Sequence, residues 1–166
     1  FDVSQRKAAE ASVRRSEALL SHLFATNPDC MTLTERATGR YALVNDGFLR
    51  ATGHAREQVI GRTSIELGIW DDPADRRRLI DALQRDGQVS DMPFNFRRRD
   101  GSRIAMLVSG ACFDFEGRDF IVINARDVSA REQSRLEVEA ILNTVSLAIA
   151  FVRGQRIVRI NPRHER

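Results

Sequence analysis

The residues best suited to redox, metal or nucleophilic chemistry are two cysteines and three histidines: Cys30, Cys112, His22, His54 and His164. They form no CxxC pair and no metal-ligand spacing, so neither a zinc site nor a dithiol is written in their order. No nucleophile–base pair, paired carboxylates or phosphate loop stands out, and the chain is expected not to be an enzyme. Two separated cysteines fit a reducing, cytoplasmic compartment. Cys112, in SGACFDF, is expected to be a buried thiol, and a redox role would need a lowered pKa. His54 sits between two short helical pieces and is read as a solvated surface residue.

Polar residues at element junctions carry a second kind of chemistry. Asn45, between YALV and DGF, is placed to cap a short helix. Ser129, in RDVSARE, is placed to cap a helix starting at about Ala130. The runs Arg76–Arg78 and Arg97–Arg99 read as solvated faces, with Asp75 and Asp81 near enough to pair with the first for modest energies. The formal net charge is +3, yet signs alternate along the chain (RRSE, DPADRRR), which argues against nucleic-acid binding. No apolar run reaches the length of a membrane span, and the longest, SLAIAFV, is far too short. No direct membrane contact is expected. Phe1 opens the chain, as in a segment of a longer protein, and that parent could itself be membrane-attached.

The elements that must position these residues follow from periodicity. Apolar residues at 42% and charged residues at 30% are globular composition. Residues 5–23 lack Gly and Pro and form a helix with a weak seam, Arg6, Ala9, Val13, Ser16, Leu20 and Leu23. CMTLTERATGRYALVN alternates with period two around a Thr38-Gly39 turn, giving two strands. DGFLRATG, HAREQVIG and RTSIELGIW are three glycine-bounded helical pieces too short to stand alone. They are expected to be held by Phe48, Leu49, Val59, Ile60, Ile65, Leu67 and Trp70. DDPADRRRLIDALQRDG has Asp72 as N-cap, Pro73 in the first turn, Leu79, Ile80 and Leu83 as its apolar stripe, and Gly87 as its stop. From Val89 the period is two again, with Asp100-Gly101 and Glu116-Gly117 as hairpin turns joining three strands. The order predicts an α+β fold: a five-stranded antiparallel sheet with short helices on one face.

A near-repeat frames this unit. FDVSQRK at residues 1–7 returns as RDVSARE at 126–132, and a second helix follows with its own seam: Arg131, Ser134, Val138, Ile141, Val145 and Ala148. QRIVRIN then lines up with GRYALVN, setting Asn161 opposite Asn45. The stretch from Asn27 to Ser129 resembles a PAS domain of the bacterial sensory type. GRYALVNDGF resembles the family's second strand and capping Asn, and ATGHAREQVIGR its glycine-bounded helices. RRRDGSR resembles its Asp-Gly hairpin, and INARDVSARE its Asp-x-Thr closing motif with Ser129 in the Thr place. The resemblance implies a PAS fold flanked by linker helices. Residues 1–26 would be the tail of a preceding PAS domain and an incoming signalling helix, 27–129 the PAS domain, 130–145 an outgoing linker helix, and 146–166 the start of a following PAS domain.

What the resemblance implies for function follows. The chain would be a sensory and relay module in a tandem-PAS parent such as a sensor histidine kinase or, by its later segment, a diguanylate cyclase. A transcription-factor parent is a third possibility. Asp127 and Ser129 would tie the last strand to the outgoing helix and relay the signal. An unidentified small molecule would sit in a cavity lined by Met31, Val44, Phe48, Ile60, Leu67, Trp70, Leu79, Phe94, Phe96, Met106, Val108 and Ile123. Met92, Phe94, Phe96, Met106 and Val108 read first as dense core, since methionines fill irregular gaps without a ligand, and Trp70 reads first as a core or rim aromatic, with a wall for a planar ligand as the alternative. A homodimer would pair through Val13, Leu20, Leu23, Val138 and Ile141, next to adjacent PAS and output domains of the same chain. No cofactor is predicted. The third helical piece lacks the Cys of flavin photosensors, and the long helix lacks an axial His for haem. The alternatives are a ligand-free dimerisation and relay scaffold, and a flavin- or haem-binding sensor.

Overall fold

Helix α1 begins where Asp2 accepts a hydrogen bond from the Ser4 amide at 3.2 Å and runs over Val3–Thr26, until Asn27-Pro28 stops it. It is longer than the expected 5–23 and buries none of its side chains. The computed structural model describes residues 2–144, 150–153 and 156–160, with side chains up to Leu142. Two compact units appear within it, residues 1–127 and 128–166.

The first unit holds the sheet. Strands β1 (Cys30–Glu35), β2 (Tyr41–Val44), β3 (Gln88–Arg97), β4 (Arg103–Phe115) and β5 (Arg118–Asp127) pair antiparallel in the order β2-β1-β5-β4-β3. Pro93 has no amide to give a ladder, and it lies on edge strand β3. Glu116 and Gly117 both take positive φ, 52° and 74°, as the tight β4–β5 hairpin requires. Between β2 and β3 lie α2 (Asp46–Thr52), α3 (Arg56–Val59) and α4 (Pro73–Asp86). Helix α4 is capped as its sequence predicts: Asp72 accepts from the Ala74 amide at 2.8 Å, Pro73 opens the first turn, and Gly87 closes it at φ 74°. Leu79, Ala82 and Leu83 are its buried stripe, with Ile80 half-buried.

Three local expectations are corrected. RTSIELGIW is a run of turns, not a helix. Gly61 and Gly68, both at positive φ, break a continuous helical path at either end of the run. Thr63 and Glu66 instead bond reciprocally, side chain to amide, at 2.7 and 3.1 Å. Ile65 consequently points outward, and Ile60, just past the end of α3, is 41% exposed while its neighbour Val59 is fully buried.

The second unit contains α5 (Ser129–Thr144) and an antiparallel pair, β6 (Ala150–Arg153) and β7 (Arg156–Ile160), in which Val152 faces Ile157. Helix α5 starts at Ser129 itself, one residue before the expected start. Val145, Ala148, Asn161 and His164 lie outside the described residues. Among the described residues no helix is long and apolar enough to cross a membrane.

Candidate functional site

Asn45 fastens the whole arrangement. At 1% exposure it caps α2 by accepting from the Phe48 amide at 2.9 Å, and its Oδ1 also accepts from the Met31 amide at 2.9 Å. Its Nδ2 donates to the carbonyls of Phe24, Asn27 and Asp29 at 3.1, 3.1 and 2.9 Å. One amide thereby joins the end of α1, the start of β1 and the start of α2. The cap was legible in the sequence. The clasp on α1 was not, since it depends on three carbonyls that only the fold brings together.

Behind this junction, between the sheet and α4, lies a cavity of about 70 Å³. That is room for a few waters or a small organic molecule, well short of the roughly 300 Å³ at which pockets for larger ligands begin. Of the twelve lining residues expected from sequence, Phe48, Trp70, Leu79, Phe96, Val108 and Ile123 do line it. Val44, Phe94 and Met106 are buried core instead, and Leu67 packs against that core half-buried. Ile60 points away to solvent. Met31 is on the wrong face: the residues of β1 that line the cavity are Cys30, Thr32 and Thr34, so Met31 looks the other way, its sulfur 3.2 Å from Asn27 Nδ2. Trp70 proves to be a core aromatic as well as a wall. It sits edge-on to Phe94 and Phe96 at 5.5 and 5.0 Å and donates its indole N–H to Ser64 at 2.9 Å.

The polar lining was not anticipated. Tyr41, Ser64, Thr32, Thr34 and Arg76 all reach the cavity, so the reading of Arg76 as part of a solvated face is corrected. Burial pushes the Tyr41 phenol well above its ordinary range, opposed by its hydrogen bond with Ser64 and by the positive charge of Arg76. Burial likewise pushes the Cys30 thiol up to about 12, helped by the charge of Asp127. The second thiol, Cys112, is only half-buried, which corrects the expectation of a buried one. His54 is also half-buried, not solvated. Its Nε2 has no partner among the described residues, and burial together with the Arg99 charge lowers its pKa. Arg97 is tied to Asp71 at 2.9 Å, so that arginine run is not simply solvated either.

Strand β5 connects the cavity to the chain's exit. Ile121, Ile123 and Ala125 line the cavity, and Asp127 is the next residue of the same alternation, paired across to Met106 and 3.9 Å from Arg98. Ser129 follows two residues later as the first residue of α5.

Residues 28–130 match the PAS domain family. The chain belongs to the PAS domain family. The PAS domain of an HTR-like protein from Haloarcula marismortui superposes with a TM-score of 0.62 at 26% identity, covering 73% of this chain and 98% of its own. The PAS domain from a two-component sensor histidine kinase follows at 0.57 and 14%, covering 72% and 98%. An RNA-binding light-oxygen-voltage receptor reaches 0.63 at 18%, covering 75% of this chain and 36% of its own. The last two likenesses carry the fold alone. No curated protein matches the sequence. Membership makes this a PAS sensory domain of the kind generally involved in signalling. The cavity is several-fold smaller than a flavin needs, and RTSIELGIW carries no Cys with which a flavin could form a thiol adduct.

Proposed function

We propose that this PAS domain senses a small molecule and relays its binding along β5 into α5 and onward to an output domain of a longer signalling protein. The observation that carries the reading is the shared face of β5. Ile121, Ile123 and Ala125 touch the cavity, and Asp127 continues their alternation to the strand's end, directly before the helix. A ligand that binds one arrangement of this strand better than another shifts the balance between them, and only that difference in affinity can drive the relay. Asp127 holds the strand end through Arg98, and Ser129 begins the outgoing helix. The parent is a tandem-PAS histidine kinase or diguanylate cyclase in this reading, with β6 and β7 opening its next PAS domain. The test is Asp127→Ala in the full-length parent. Output that loses its response to ligand supports the relay, and unchanged basal output with unchanged response removes Asp127 from it.

The chain acts as a homodimer in the same reading. Val13, Leu20 and Leu23 are all more than half exposed at coiled-coil spacing on α1, as are Val138 and Ile141 on α5. Deleting residues 1–24 should yield a monomer in sedimentation. A dimer that survives the deletion excludes α1 as the main seam.

A second reading, a ligand-free relay scaffold, is favoured by the small size of the cavity. Mass spectrometry of whatever denaturation releases from freshly purified protein separates the two. A stoichiometric metabolite supports the sensor, and a bare protein that also binds no added ligand supports the scaffold.

A further inference from the structure

Arg76 has no carboxylate partner among the described residues. Nearby, Arg78 pairs with Asp75, Arg97 and Arg103 with Asp71, and Arg98 with Asp127, whereas Arg77, also without a carboxylate partner among the described residues, is exposed. Yet Arg76 is half-buried in the first turn of α4 and lines the cavity. Gly39, in the β1–β2 turn, makes room for it. A Cβ at residue 39 would stand 3.1 Å from Nη2 of Arg76, and the φ of 70° at Gly39 disfavours any side chain there. A guanidinium whose charge no acidic side chain among the described residues answers thus lies against the β1–β2 turn.

Besides that charge the cavity carries a few polar groups. The hydroxyl of Ser64 comes from the turns that follow α3 and that of Tyr41 from β2, and Thr32 and Thr34 add two more from β1. Most of the lining, Phe48, Leu83 and Val108 included, is apolar. A partly desolvated guanidinium favours a planar anion it can engage with two parallel hydrogen bonds, which a carboxylate supplies. The apolar remainder favours a hydrocarbon tail over water, and the volume limits the whole molecule to roughly six heavy atoms. We propose that the cavity binds a small organic acid, with its carboxylate on Arg76 and its short aliphatic chain against Phe48, Leu83 and Val108. The inference rests on the sensory reading above and names its ligand class. Because Thr32 and Thr34 lie opposite Ile123 and Ile121 in the β1–β5 ladder, an acid held there bridges α4 to the relay strand.

The test is calorimetry and thermal melting of this chain with butyrate, its neutral isostere butyramide, and inorganic phosphate. Butyrate should bind saturably and raise the melting temperature. Butyramide and phosphate should bind at least tenfold more weakly. Arg76→Gln should lose at least tenfold in butyrate affinity, and Arg76→Lys should retain part of it. The butyrate–butyramide comparison decides even where Arg76→Gln fails to fold. Equal binding of butyrate and butyramide overturns the carboxylate assignment but leaves the sensory reading standing, since a neutral ligand would still occupy the cavity. Equal binding of phosphate reduces the site to a general anion site and overturns the organic acid. Absence of butyrate binding overturns the proposal outright, whereas the relay itself stands or falls separately on Asp127→Ala.

Discussion

Removing the Asn45 side chain should be among the most destabilising polar substitutions in this chain. Asn45→Ala takes away five hydrogen bonds at once: two that Oδ1 accepts from the Met31 and Phe48 amides and three that Nδ2 donates to Phe24, Asn27 and Asp29. The lost cap on α2 alone is worth about 1 kcal/mol. Each backbone group then stranded away from water adds about 1–3 kcal/mol. Water can reach some of the three carbonyls once the side chain is gone, so the two amides dominate and the sum is about 3–5 kcal/mol. Against a total stability of about 5–15 kcal/mol, that is a large fraction of the fold. Urea denaturation measures it, and hydrogen exchange should show the last turn of α1 opening faster, because Phe24 loses its tie to the core. Asn45→Asp separates the two halves of the interaction. It keeps the acceptors but turns a carboxylate toward three carbonyl oxygens, so its folded-state pKa rises above the unfolded value of about 3.9. The variant is therefore least impaired below pH ~4 and loses stability as pH rises through its folded pKa. A loss under about 1 kcal/mol for Asn45→Ala, or an Asn45→Asp variant as stable as wild type at pH 7, would refute the clasp.

Gly47→Ala should cost about 2–3 kcal/mol by melting, because a Cβ there would stand 2.8 Å from the Pro28 carbonyl and closer still to that of Asp29, and backbone does not yield. A wild-type melting temperature would show that the link before β1 can move. A disulfide reagent at pH 8 should label half-buried Cys112 well before Cys30, a residue 3% exposed whose thiol is pushed up to about 12; equal rates by peptide mapping would contradict that burial. Asp71 receives Arg97 and Arg103, both at 2.9 Å, and its pKa is lowered, first by the Arg97 hydrogen bond. Its contribution is complete above the ordinary Asp range near pH 4 and fades as pH falls through the lower folded value. Asp71→Asn should then be less stable than wild type at neutral pH, with the gap closing in acid. A gap that stays constant with pH would mean that the charge is irrelevant.

What the sequence made legible divides along a physical line. Caps and turns are local, so Asp72, Pro73, Gly87, Asn45 and the two hairpin turns could be read from a few neighbouring residues. The strands of β3 and β4 could be read too, because one face of each is buried and the alternation is clean at Phe94 and Phe96, and at Ile104, Met106 and Val108. Strand β1 misleads for a reason the sheet supplies. Its apolar residues Met31 and Leu33 face away from α4, and at that end of the sheet Leu33 joins Leu43, Phe113, Phe115 and Phe120 in a largely exposed apolar patch. The side toward the cavity carries Cys30, Thr32 and Thr34 instead. A rule that sends the apolar set inward therefore chooses the wrong parity for that one strand. The polar cavity wall was hidden for the same reason, since Thr32, Tyr41, Ser64 and Arg76 come from four separate segments and none announces itself alone. The inversion is itself informative. A strand that turns threonines toward an interior lined also by an arginine without a carboxylate partner gives up apolar burial there, and that concession is what the proposed site for a small organic acid accounts for.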